Sequence, residues 1–154
     1  MKKINQELIA LFDKYGSDRR RALRENKKLS YLYALADLRE NLLDWFQFDP
    51  EQQALQIGAD AGVLTGLLAR RLSSVTVLDV SEENLEVVRR RFKTEPELAA
   101  KIRYVCADVE TYAREAEKRG GTYGYVVLIG GLTAADKAGR AAQMTAAKQL
   151  LSAH

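Results

Sequence analysis

The chain is short of the residue types that build metal centres and disulfide frameworks. Its 154 residues include one cysteine, Cys106, and one histidine, His154 at the last position. A single cysteine excludes an intrachain disulfide, and these two residues are too few for a Cys/His zinc site. We therefore expect no metal site and a reducing, cytoplasmic compartment. The histidine is also a poor candidate for a general base, because a chain terminus is seldom held firmly in place.

Long apolar runs are also missing. None approaches the roughly 20 residues of a membrane-spanning helix, and residues 1–3 are not followed by a signal-peptide core. Charge is unevenly placed, because residues 1–28 carry nine basic and four acidic side chains while the remainder carries fifteen and seventeen. A basic segment can bind nucleic acid, but no aromatic residues alternate with these charges to stack on bases. A solvated helix face is favoured, and nucleic acid is not an expected partner.

The most informative stretch of the chain is residues 54–79. A short apolar run ends at Gly58, helical spacing of leucines follows through Leu72, and a second apolar run ends on Asp79. This order is typical of a strand, a glycine-bearing turn, a helix and a second strand. In a right-handed parallel unit both strands end at the same edge of the sheet. Gly58, Gly62 and Asp79 should therefore surround one crevice, and a ligand with a ribose would suit it.

Strands and helices keep alternating through residue 129, which predicts a doubly wound parallel α/β sheet. Ser81 is placed to cap a helix that ends before Pro96, and further strands are expected at residues 102–105 and 125–129. Before the first strand, helices are expected at residues 4–15 and from residue 18 to about 46, with a break near Leu29. Residues 1–48 are thus predicted to be an N-terminal helical extension, and residues 49–154 the cofactor-binding domain.

Each residue type at the predicted crevice has a chemical task. Glycines let the backbone approach a ligand and aim the next helix's amides at an anion. The Asp79 carboxylate can accept both hydroxyl protons of a ribose. Asp108, after the third strand, can bind an adenine edge, with Val80 and Val109 on either side of the base. Asp108 is equally well explained as the N-cap of the following helix.

These residues resemble the class I S-adenosylmethionine-dependent methyltransferases, which have a Rossmann-like fold. Residues 55–62 (LQIGADAG) match the first motif of that class, residues 77–81 the second, residues 107–109 the third and residues 123–132 the fourth. The resemblance implies S-adenosylmethionine as the cofactor, with its ribose on Asp79 and its adenine beside Asp108 and Val109. Its sulfonium methyl would face Ile129 and Gly130. The implied cofactor-binding residues are Gln56, Gly58, Ala59, Gly62, Asp79, Val80, Asp108, Val109 and Ile129.

Several positions depart from the family pattern. Gln56 replaces an acid that helps to hold the cofactor's ammonium group, and Gly124 replaces the acid before the fourth strand. Asp60 stands at the middle glycine, where a side chain is tolerated if its φ is negative. The sequence also stops after the fourth strand and its helix, where the family would enter a fifth strand. We expect the exposed edge of residues 125–129 to be covered by the terminal helix, a homodimer partner or a missing C-terminal region.

The favoured function is methyl transfer to the oxygen of a saccharide or another small molecule. Residues 129–132 (IGGL) lack the Asn-Pro-Pro-Tyr type signature of many amino-group methyltransferases, and residues 37–46 resemble methyltransferase domains associated with bacterial glycosyltransferases of cell-surface polysaccharide synthesis. No general base can be named. A degenerate, non-catalytic module is the alternative, favoured by Gln56 and Gly124. A nicotinamide dinucleotide oxidoreductase is disfavoured, because Asp60 and Val63 break the G-x-G-x-x-G pattern.

Overall fold

The computed structural model describes residues 2–129, 132 and 136–152, and it is built around one parallel sheet. The strand order is β3-β2-β1-β4, and every neighbouring pair of strands is parallel. The predicted doubly wound α/β fold with N-terminal helices is confirmed. In chain order the elements are α1 (Lys3–Tyr15), α2 (Arg19–Glu25), α3 (Leu29–Leu35), a 3-10 helix (Asp37–Leu42), β1 (Gln53–Ile57), a 3-10 turn (Asp60–Gly62), α4 (Val63–Arg71), β2 (Ser74–Asp79), α5 (Glu82–Phe92), α6 (Pro96–Ala99), β3 (Ile102–Cys106), α7 (Val109–Arg119), β4 (Tyr125–Val127) and α8 (Lys137–Gln149).

The register of the two central strands sets the position of the site. Ile57 of β1 lies beside Leu78 of β2, so the two strands end at the same level. The Gly58 amide then donates to the Leu78 carbonyl oxygen at 2.8 Å. Gly58 and Asp79, the next residue on each strand, are therefore neighbours at the carboxyl edge, as the sequence predicted.

Each face of the sheet has its own hydrophobic core, because successive strand residues point to opposite sides. Val75 and Val77 of β2 face α4 and α5, where Leu68 and Phe92 are fully buried. Leu55 and Leu78 face α7 and α8 on the other side, with Ala113 and Ala147. The helices cover both faces of the sheet, which explains why four of the five residues of β1 and four of the six residues of β2 are buried.

The N-terminal helices form a third core of their own. Leu8 and Phe12 of α1, Ala22 of α2 and Leu35 of α3 pack together and against Val87 of α5. The first helix lies where the sequence predicted it, and the second predicted helical region is interrupted at residues 26–28, directly before Leu29, and again at residue 36. The boundary between residues 48 and 49 stays a prediction. Within the described residues, every helix is too short or too polar to span a membrane.

The segment after α8 contacts the chain just before β4. The Tyr123 amide donates to the Leu150 carbonyl at 2.8 Å, and the Ser152 amide donates to the Tyr123 carbonyl at 2.9 Å. Leu151 thus forms a parallel bridge with Tyr123. The terminal helix α8 does not cover the edge, because its buried residues belong to the core on one sheet face. The sequence pattern of Thr133 and Asp136 resembles a capping box. In the structure Asp136 itself caps α8 through the Gly139 amide, and Thr133 lies outside the described residues.

Candidate functional site

The turn between β1 and α4 has an unusual run of left-handed backbone. Gly58 has φ +94°, and Asp60, Ala61 and Gly62 follow with φ +37°, +50° and +79°. The condition under which a side chain at position 60 would be tolerated, a negative φ, is therefore not met. Left-handed conformations cost a non-glycine residue about 1–2 kcal/mol. Such strain persists only where surrounding contacts impose it, and it is concentrated at functional sites.

Gly62 is required for packing as well as for its backbone angle. A Cβ added at this position would lie 3.0 Å from both the Arg91 Cδ and the Val88 Cγ1. The turn thus presses directly on α5. Gly62 is buried, and the structure gives it the role of bringing α4 and α5 close together.

Arg91 of α5 holds this turn against the N-terminal helices. Its side chain is 2% exposed and donates to the Ala34 carbonyl at 2.8 Å and to the Ala61 carbonyl at 3.2 Å. Asp37 lies 3.9 Å from the same guanidinium. Burial lowers the pKa of Arg91 to about 9, so the side chain remains protonated at neutral pH. A buried positive charge therefore joins α3 to the strained turn.

The Asp79 carboxylate lies at the centre of the carboxyl edge. Its Oδ2 accepts from the Ala59 amide at 2.8 Å, and its Oδ1 accepts from the Ser81 amide at 2.8 Å and the Asn84 side-chain amide at 3.1 Å. A carboxylate has about four acceptor positions. Three are occupied, so one position on Oδ2 is open to a ligand hydroxyl while all the internal bonds remain. The same contacts fix the orientation of the carboxylate.

A cavity of about 440 Å³ opens at this edge, within the roughly 300–1,000 Å³ that ligand pockets occupy. Six of the nine predicted site residues line it: Gly58, Asp79, Val80, Asp108, Val109 and Ile129. The structure thus brings the ends of three strands and the end of the β4 segment to one hollow. Gly130, the other residue predicted to face the methyl group, lies outside the described residues.

The remaining three predicted residues do not line the cavity; they are Gln56, Ala59 and Gly62. The Gln56 side chain is 3% exposed, and it donates to the Gly58 carbonyl at 2.8 Å and accepts from the Thr65 hydroxyl at 2.7 Å. Ala59 is fully buried, with its amide on Asp79. In this structure the three residues support the shape of the turn.

Asp108 has the N-cap role and also lines the cavity, whereas its contact with adenine stays a prediction. Its Oδ1 accepts from the Thr111 amide at 2.8 Å, which makes it the N-cap of α7. That bond holds the pKa of the carboxyl below its usual range. Asp108 also lines the cavity, beside the Val80 side chain, which is 59% exposed. An apolar surface next to a hydrogen-bonding edge suits a flat heterocycle.

Sequence reasoning missed the contribution of the N-terminal segment to the cavity. Lys2, Tyr33 and Arg39 all line it. Arg39 forms an ion pair with Asp60 of the turn, and its guanidinium lies 4.6 Å from the Tyr33 ring centroid. From the sequence alone, Arg39 could pair with the cofactor's carboxylate, and Asp37, Glu40, Asp44 or solvent were favoured. The structure gives it Asp60 as its partner instead. An arginine on a segment directly preceding the first strand was the available signal, but its partner is set by the fold.

Comparison with known proteins decides the family. A family model described as a methyltransferase domain matches residues 54–153, more than half of the chain. The chain belongs to this methyltransferase family. The match supports S-adenosylmethionine as the cofactor and confirms the resemblance in the motifs around Gly58, Asp79 and Asp108. The link to glycosyltransferases stays a prediction.

Individual relatives of this methyltransferase domain are distant. The chain is 32% identical over 85 residues to the ribosomal RNA small subunit methyltransferase A of Salinibacter ruber. The matched region covers 55% of this chain and 27% of that protein. The chain thus spans about a quarter of the length of the curated relative it matches.

Solved structures show the same fold. Magnesium protoporphyrin IX methyltransferase of Synechocystis has a TM-score of 0.62 at 17% identity, over 96% of this chain and 71% of that one. A glycopeptide N-methyltransferase has a TM-score of 0.59 at 19% identity, over 75% and 52%.

The residues present fit an adenosyl group. One acceptor position on Asp79 is open, Val80 offers an exposed apolar surface, and Asp108 adds a polar edge beside it. Arg39 supplies positive charge at the turn, where the family places the cofactor's carboxylate, although Asp60 shares that charge. Within the described ranges, no group of three or more His, Cys, Asp and Glu side chains could hold a metal ion.

Proposed function

We propose that this chain is an S-adenosylmethionine-dependent methyltransferase domain acting on the oxygen of a saccharide or another small molecule. The observation that carries the proposal is the placement of Asp79 beside the left-handed turn, with an open acceptor position facing a cavity of nucleoside size. Asp79 would bind the ribose, Asp108 and Val109 the adenine, and Arg39 the carboxylate of the methionine portion. A cytoplasmic location belongs to the same proposal.

For methyl transfer, the main task of the protein is to position the two reactants. A bound sulfonium supplies an already activated methyl group, and the chain must align an acceptor for in-line attack and exclude water. Ile129 lines the side of the cavity where the family places the methyl group. Lys2 and Tyr33 of the N-terminal segment also line the cavity.

Calorimetric titration with S-adenosylhomocysteine and with NAD tests the cofactor assignment. We expect S-adenosylhomocysteine to bind and NAD to bind weakly or not at all. Asp79→Ala should weaken binding by about 1.5–3 kcal/mol, or roughly 10- to 100-fold, which is the usual worth of hydrogen bonds to a charged group. Asp18→Ala is a matched control, because it removes the N-cap carboxylate of α2, a helix with no residue in the cavity lining. Equal affinities for wild type and Asp79→Ala would remove Asp79 from the site.

A nucleic-acid acceptor is the second candidate. The relative from Salinibacter ruber is named for ribosomal RNA, and Arg20, Arg24 and Lys27 are exposed on and after α2. Within the part of the chain described, these three side chains have no acidic partner. Transfer of a labelled methyl group to small-subunit ribosomal RNA, and not to saccharides, would replace the leading acceptor class.

The partner at the β4 edge also belongs to this proposal. The bridge between Tyr123 and Leu151 supports the segment after α8 as one cover for this edge. A homodimer is the alternative cover for the same edge. Sedimentation of the chain, followed by amide exchange along β4, separates a dimer from a monomer with an exposed strand.

A further inference from the structure

Asn84 connects the cofactor cavity to the first helix of the chain. Its side-chain nitrogen donates to the Asp79 Oδ1 at 3.1 Å, and its side-chain oxygen accepts from the Asn5 side-chain amide at 3.0 Å. Asn5 lies on α1 and is 7% exposed. Two hydrogen bonds therefore run without interruption from the cavity carboxylate to α1, and the bond between Asn5 and Asn84 joins residues 79 positions apart in the sequence.

The bond from Asn84 also determines how Asp79 is presented to a ligand. With Oδ1 held by Asn84 and the Ser81 amide, Oδ2 is left with the Ala59 amide and one open acceptor position. Without Asn84, the carboxylate would keep only its two backbone donors. The side chain could then rotate more freely, and the open position would lose its fixed direction. Bonds to an ionised acceptor are among the stronger hydrogen bonds in proteins.

A second contact places α1 at the same end of α5. The Lys2 amide donates to the Glu83 carboxylate at 3.0 Å, and Lys2 itself lines the cavity. The start of α1 thus meets the first turn of α5 at two adjacent positions, one exposed and one buried. Of these two contacts, only the one between Asn5 and Asn84 continues to Asp79 through a further hydrogen bond.

We propose that Asn84 is a positioning residue through which docking of α1 strengthens nucleoside binding at Asp79. The inference rests on the proposed function and deepens it, because it makes the N-terminal helix a regulator of that site. Thermodynamic coupling is reciprocal, so a nucleoside bound at Asp79 must tighten α1 to the same extent that α1 tightens the nucleoside. Asn84 itself acts through Asp79.

Titration of S-adenosylhomocysteine into single variants gives the first test. We expect Asn84→Ala to lower the affinity by about 5- to 10-fold and Asn5→Ala by about two- to five-fold, since each breaks one link of the chain. Gln6→Ala is the matched control on α1, because Gln6 is exposed and should leave the affinity unchanged. Full affinity in Asn84→Ala would overturn the inference while leaving the proposed function intact.

A double-mutant cycle separates positioning from simple loss of packing. Asn84 also lines the cavity, so the cycle separates its bond to Asp79 from a direct contact with the ligand. In the Asp79→Ala background, Asn84→Ala should no longer change the affinity, because its effect on binding is transmitted by Asp79. An undiminished effect in that background would overturn the inference. Asn84→Asp adds a pH signature: two neighbouring carboxylates repel, so affinity should recover as pH falls and one of them binds a proton. A purely structural role would not produce that pH dependence.

Amide hydrogen exchange gives a readout that is independent of affinity. S-adenosylhomocysteine should slow exchange across residues 3–15 in the wild type and should do so much less in Asn84→Ala. Binding without any protection of α1 in the wild type would overturn the coupling and leave the cofactor assignment standing. A wild type that does not bind S-adenosylhomocysteine would overturn both.

Discussion

Replacement of the buried Arg91 should destabilise the protein by a predictable amount. Arg91→Met keeps most of the side-chain volume but leaves the carbonyls of Ala34 and Ala61 without their donor. An unsatisfied buried carbonyl costs about 1–3 kcal/mol. Removing the charge also removes the free energy needed to desolvate it on folding, and this offsets part of the loss. We expect a net loss of about 2–4 kcal/mol in the free energy of unfolding.

Denaturant titration followed by circular dichroism measures this loss, and thermal unfolding provides a second estimate. For a chain of this size, about 2–4 kcal/mol corresponds to a fall of roughly 5–15 °C in Tm. Arg90→Met is the matched control on the same helix. Its partners Glu86 and Asp13 are partly exposed, and such surface pairs contribute about 0–1 kcal/mol. Equal losses in the two variants would refute the view that Arg91 joins α3 to the turn.

Two further predictions concern the left-handed turn. Gly62→Ala should destabilise the fold by more than Gly120→Ala. Both glycines have a positive φ, but only Gly62 has neighbours where a Cβ would lie. Denaturant titration should show unfolding free energies that differ by about 1–3 kcal/mol between the two variants. Equal midpoints would contradict the close contact with α5. Ala61→Gly should raise the unfolding free energy by up to about 1 kcal/mol, since glycine adopts φ +50° without strain. A loss of stability on this substitution would show that the strain is not borne at Ala61.

The sequence was sufficient for the features that depend on local pattern. The apolar runs ending at Gly58 and Asp79 located two neighbouring strands, and parallel handedness placed both ends at one edge. Ser81 was identified as a helix N-cap, and its side chain accepts from the Asn84 amide. Such features are determined by residues that are close together in the chain, so they can be predicted from a single sequence.

Features that depend on long-range contacts could not be predicted from the sequence. The φ of Asp60 is imposed by packing of the turn on α5, and the partner of Arg39 is fixed only when the N-terminal segment folds over the cavity. Asn84 gave one usable signal, since an amide in the first turn of a helix, just after a strand-end acid, can both donate and accept. Nothing local indicated that Asn5 would be its second partner.

The most direct measurement of the central claim is a structure of the chain with S-adenosylhomocysteine bound. The account predicts a ribose hydroxyl within hydrogen-bonding distance of the Asp79 Oδ2, with the adenine between Val80 and Val109. A nucleoside bound away from the carboxyl edge of β1 and β2, with Asp79 untouched, would contradict it.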